Sequence, residues 1–81
     1  MGMVRVISKR GDDRVQWNEQ DAQAGDAEAM AAIREAERIF TQERARLATA
    51  FLVEAVKPTE RIEQFDPQDG QIILVPRVIG G

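Results

Sequence analysis

Four consecutive apolar residues near the C-terminus, Ile72, Ile73, Leu74 and Val75, constrain this chain more than any other stretch. A strand with apolar side chains on both sides belongs inside a sheet, covered on both faces. Pro76 follows at once; it has no N–H to offer a neighbouring strand, so it ends the pairing. Arg77, Val78 and Ile79 then lead to Gly80 and Gly81. A diglycine carries no side chains, so it threads an extended backbone into a narrow channel and leaves a carboxylate open to attack.

A length of 81 residues predicts one small domain with no room for a deep catalytic cleft. The chain has no cysteine and no histidine, which removes disulfides, thiolate metal sites, cysteine nucleophiles and the commonest general base. A formal net charge of −3 argues against a nucleic-acid partner, because phosphate contacts need a basic surface. Apolar runs fall far short of a membrane span, and the N-terminus lacks the pattern of a signal peptide. A cytoplasmic monomer with no bound metal or cofactor is the expectation.

Residues 4–8 are rich in β-branched types and read as a strand. Residues 9–13 read as a turn of about five residues, and residues 14–17 as the returning strand of a hairpin, with Trp17 capping one end of the core. Residues 18–25 are polar and read as loop, with Asp26 as a helix N-cap. The Ala, Glu and Arg content predicts a helix over residues 27–48. Met30, Ile33, Ala36, Phe40 and Leu47 form its apolar stripe, flanked by Ile39. Residues 49–56 read as a strand, 57–59 as a turn, 61–65 as a short edge strand and 66–70 as a second turn.

The element order predicts a two-layer α+β domain over residues 1–75, a mixed sheet of four or five strands with the long helix across one face. The doubly apolar last strand belongs at its centre, parallel to the first. That topology is the β-grasp. Residues 76–81 form a flexible tail that extends from the domain.

The ending Leu74-Val75-Pro76-Arg77-Val78-Ile79-Gly80-Gly81 resembles the tail of ubiquitin, which also closes its last strand with Leu-Val, an Arg and Gly-Gly. Its Pro before an apolar residue and the diglycine also resembles the MoaD and ThiS sulfur-carrier families. The likeness covers about the last dozen residues; the remainder agrees in element order alone. Only two lysines, Lys9 and Lys57, are present, which limits chain building through lysine, and no counterpart of ubiquitin's apolar recognition patch is evident. The long Ala-Arg-Glu helix favours a bacterial version of the family.

The resemblance implies a protein modifier that enzymes act on, and not an enzyme itself. An activating enzyme would use ATP to adenylate the Gly81 carboxylate, with Gly80 giving reach and Pro76, Arg77, Val78 and Ile79 giving partner contacts. A conjugating enzyme and a deconjugating metallopeptidase are further implied partners, acting with a target protein. Two alternatives stand beside this: a sulfur carrier bearing a C-terminal thiocarboxylate, and a non-enzymatic adaptor or structural module of phage or toxin–antitoxin type.

Overall fold

The computed structural model describes residues 2–8, 11–54 and 56–77. Five strands and two helices run in the order β1 (Gly2–Ser8), β2 (Gly11–Trp17), α1 (Glu19–Gln23), α2 (Ala27–Ala45), β3 (Thr49–Glu54), β4 (Lys57–Ile62) and β5 (Gln71–Val75). The strands form one mixed sheet in the order β2-β1-β5-β3-β4. β1 and β5 pair in parallel at its middle, with Val4 opposite Ile72 and Val6 opposite Leu74. The other three pairings are antiparallel. The molecule is thus α+β, with one long helix packed on a five-stranded sheet.

Ile72 and Leu74 are fully buried, as are Val4 and Ala50 on the flanking strands, and these residues meet α2. Ile73 and Val75, on the opposite face of β5, are half-buried. The core pairing therefore takes Val6, Ala50 and Leu74, while Ile7 and Phe51 fall on the face away from α2.

The helix face differs from the expected stripe. Its buried residues are Ala29, Ala36 and Phe40, with Ala32, Ile33 and Ile39 packed beside the core. Met30 is 43% exposed and Leu47 is 60% exposed. Alanines need little space, so they let the helix backbone settle close over β1 and β2 and rotate Met30 off the contact. Leu47 is not helical at all: α2 stops at Ala45. The Leu47 N–H donates to the Arg44 carbonyl at 2.9 Å and the Ala48 N–H to the Glu43 carbonyl at 3.0 Å. This is a Schellman closure, and its left-handed residue is Leu47, with φ of 68°.

Other boundaries move for local reasons. The chain does not coil freely between Trp17 and α2: Asn18 caps α1, its side-chain oxygen accepting from the N–H groups of Gln20 and Asp21. The hairpin loop is shorter than five residues, because Ser8 already faces Gly11 across the ladder; residues 9 and 10 lie outside the described residues. Residues 57–59, expected as a turn, belong to β4, which pairs with β3 through an irregularity between Leu52 and Glu54. Pro58 is tolerated there because β4 is an edge strand and owes no ladder bond on its outer side. Residues 63–65 lie beyond that strand. Phe65 instead fills the gap between Trp17 and Phe40, its ring centroid 5.9 Å from each. The indole N–H of Trp17 donates to the Pro67 carbonyl at 3.0 Å.

Candidate functional site

The expected site is the end of β5, and the structure shows what holds it. β5 is bonded on both sides, to β1 and to β3, and its last pair is Val75 with Thr49. The next residue is Pro76, where the ladder ends for want of an N–H. Pro76 is half-buried and Arg77 is exposed. Both line a notch with Val6 of β1 and with Glu43, Arg46 and Ala48 from the end of α2. Val78, Ile79, Gly80 and Gly81, four of the six expected site residues, lie outside the described residues.

The surroundings of Pro76 and Arg77 were not foreseen from sequence. They follow from one register fact: β3 runs antiparallel to β5, so the residues that precede Thr49 arrive beside those that follow Val75. The end of α2 is thereby brought to the root of the tail. Arg44 anchors this corner. Its guanidinium donates to the Ala48 carbonyl at 2.9 Å and pairs with the Glu63 carboxylate just beyond β4. Arg46 is the outward group, its side chain 68% exposed, while Glu43 is 18% exposed and 4.0 Å from it.

At the other end of β5, Gly70 accepts from the Met3 N–H at 3.0 Å, and the Asp69 N–H donates to Asp66. A concavity of about 490 Å³ opens there, lined by Met3, Gln16, Glu19, Val53, Glu54 and Gln71 among others. Its lining side chains offer amides and carboxylates but no hydroxyl, thiol or amine. Among the described residues, no group of three or more His, Cys, Asp or Glu side chains is placed to hold a metal ion. No helix among the described residues is long and apolar enough to cross a membrane.

Burial raises the Asp69 carboxyl above the ordinary aspartate range, and the nearby Asp66, Glu54 and Glu60 push the same way. The folded state then holds this proton more tightly than the unfolded chain does. Ionisation costs the fold stability above the folded pKa, and the cost vanishes below about 3.9, the ordinary aspartate value. Asp69→Asn is therefore expected to be more stable than wild type in urea at pH 7, with the difference closing on acidification. A difference that widens toward low pH would contradict the assigned sign.

Comparison with protein-family models, with curated proteins and with solved structures finds no match to this chain.

Proposed function

We propose that the chain is a β-grasp domain of the ubiquitin-like kind, acting in the cytoplasm as a protein modifier rather than as an enzyme. Strand order supports this reading: the first and last strands pair in parallel at the sheet centre, and the long helix crosses one face. The observation that carries it is the position of the diglycine segment. It continues directly from a strand bonded on both sides, after a proline that stops the ladder. A domain built so presents the residues after Val75 from a strand that is paired on both sides.

The chemistry then falls on Gly81. A carboxylate resists attack because oxide is a poor leaving group. An activating enzyme removes that obstacle by letting the Gly81 carboxylate oxygen attack the α-phosphorus of ATP, which expels pyrophosphate and leaves an acyl-adenylate. A thiol of that enzyme or of a conjugating enzyme attacks the Gly81 carbonyl and expels AMP, and a target nucleophile completes the transfer. Gly80 and Gly81 keep the approach slim, and the Arg77 guanidinium suits a carboxylate on the partner.

The test is intact mass after incubation with ATP and an activating enzyme encoded near this chain. Wild type is expected to form an adduct. The Gly81 deletion is expected to form none while its circular dichroism stays native, because it leaves every residue of the described core, Val4 to Leu74, in place. An adduct on the deletion variant would move the chemistry elsewhere. No adduct on wild type would favour the adaptor reading, and a thiocarboxylate mass when sulfide is added to displace AMP from the acyl-adenylate would favour the sulfur carrier.

A further inference from the structure

Asp69 is the one aspartate in the sequence that a glycine follows. That order matters chemically. The backbone nitrogen after an aspartate can close a five-membered ring on the side-chain carboxyl, and a Cβ on the following residue hinders its approach. The other aspartates are tied elsewhere. Asp66 precedes Pro67, which has no N–H to react. The Asp26 carboxylate is engaged by the Ala29 N–H at 2.9 Å. Asp21 lies in α1, and Asp12 and Asp13 lie in β2, where regular backbone fixes the following amide.

Asp69 and Gly70 sit in the bend that leads into β5, outside every helix and strand. Nothing lies within 4 Å of the point where a Cβ on Gly70 would stand, so a ring formed there displaces no neighbour. The Asp69 carboxyl borders a hollow of about 260 Å³ with Leu52, Glu54, Pro58 and Glu60, and with Lys57 as the cation of that lining. Burial comes first, and Asp66, Glu54 and Glu60 add to it, in keeping this carboxyl protonated to higher pH than an ordinary aspartate. The protonated form is the reactive one, because it sheds its oxygen as water, whereas a carboxylate would have to expel oxide.

We propose that Asp69–Gly70 is a site of backbone isomerisation in the folded protein. The Gly70 nitrogen attacks Cγ of Asp69. A C–N bond forms, the nitrogen gives up its proton, and the carboxyl hydroxyl departs with it as one water, leaving a succinimide. Water then opens the ring. Attack at the Asp69 main-chain carbonyl breaks its bond to the Gly70 nitrogen, so the chain runs on through Cβ and Cγ and a carboxylate stands on Cα. The mass is that of the starting protein, and the backbone is one carbon longer. The Gly70 carbonyl keeps its bond from the Met3 N–H, and Gln71 keeps its places opposite Met3 and Val53, since the added carbon precedes them all. The bend takes up the length. None of this depends on the modifier reading.

The test is timed incubation of the folded full chain at mildly acidic and at neutral pH. Product is read by transfer of a labelled methyl group from S-adenosylmethionine with an isoaspartyl-specific carboxyl methyltransferase, and located by peptide mapping. Wild type, Gly70→Ala and wild type unfolded in urea are compared. Label is expected to accumulate on folded wild type, on the peptide that contains Asp69. Gly70→Ala is expected to lose that label while its urea midpoint stays native, because its Cβ crowds the attacking nitrogen and nothing else. The rate falls as pH rises through the folded Asp69 pKa, and in urea the same fall comes at lower pH. No label on folded wild type while the urea-unfolded chain acquires it overturns the inference, because the fold then shields the bond. So does label that persists in Gly70→Ala, or a rate that grows with the unfolded fraction at low urea.

Discussion

Phe40→Ala is expected to destabilise the domain by about 3–5 kcal/mol, the usual cost of emptying a buried aromatic site. Phe40 is 4% exposed, and its ring lies 5.9 Å from that of Phe65, tilted by 55°. No other fully buried side chain of the helix matches it in size: α2 buries three residues, the other two are alanines, Ala29 and Ala36, and Ile33 and Ile39 are only partly buried. Collapse into the hole is limited, because Ala36 already brings the helix close to the sheet and Phe65 still leans on the Trp17 ring, 5.9 Å away. A domain of this size has roughly 4–12 kcal/mol in total, so the variant sits near its unfolding threshold. Urea denaturation reads the loss as a lower midpoint at constant slope. A loss below about 1 kcal/mol would mean that α2 is not docked through this side chain.

Gly2→Ala is expected to be the most disruptive single methyl group that can be added to the described chain ends. A Cβ at Gly2 would stand 2.1 Å from Cε2 and 2.3 Å from Nε1 of Trp17. The indole cannot step aside cheaply, since its N–H is bonded to Pro67 and its ring leans on Phe65 at 5.9 Å. Either the ring leaves its site or the Gly2–Trp17 pair at the end of the β1–β2 ladder opens. Overpacking of this kind costs about 1–3 kcal/mol or more. Trp17 is the single tryptophan, so its fluorescence reports the event directly, shifting red as the indole meets water. Gly70→Ala is the control: nothing lies within 4 Å of its added Cβ, and its effect is expected to stay within about 0.5 kcal/mol. A Gly2→Ala variant with native emission and stability would show that the close approach to Trp17 is not maintained.

The parts of the fold that could be read in advance are those with more than one signal at the same place. Ile72 to Val75 offered a doubly apolar run and a proline stop, and the structure places that run at the sheet centre beside β1. Asp26 offered a cap before a long run of helix formers, and α2 begins where it should, with the Ala29 N–H donating to the Asp26 carboxylate at 2.9 Å. β4 was misplaced because an edge strand with exposed Lys57, Thr59 and Arg61 carries no apolar alternation, and Pro58 reads as a turn when the neighbour it does not bond is out of view. Leu47 reads as core from its place on the stripe, because a helical pattern without a glycine does not mark its last turn. Met30 differs for another reason: a large side chain on the stripe reads as core, yet the small Ala29 and Ala36 are the ones buried and Met30 is left exposed. Within the candidate site, Pro76 and Arg77 were legible as residues of the tail. The end of α2 beside them was not, since only the β3–β5 register brings it there.

The place of β5 also decides how the domain meets a pulling force. Tension entering through Arg77 reaches the sheet at its middle, along a strand whose ladder with β1 spans four residue pairs and whose ladder with β3 spans five. A pull along that strand loads both ladders in shear at the same time, so their hydrogen bonds resist together. An edge strand such as β4 would peel from a single neighbour, one bond after another. A machine that drags this domain by its tail therefore finds no loose end to strip away. It must break the centre first, and once the centre goes, the two strands that sandwich the core against α2 have already parted.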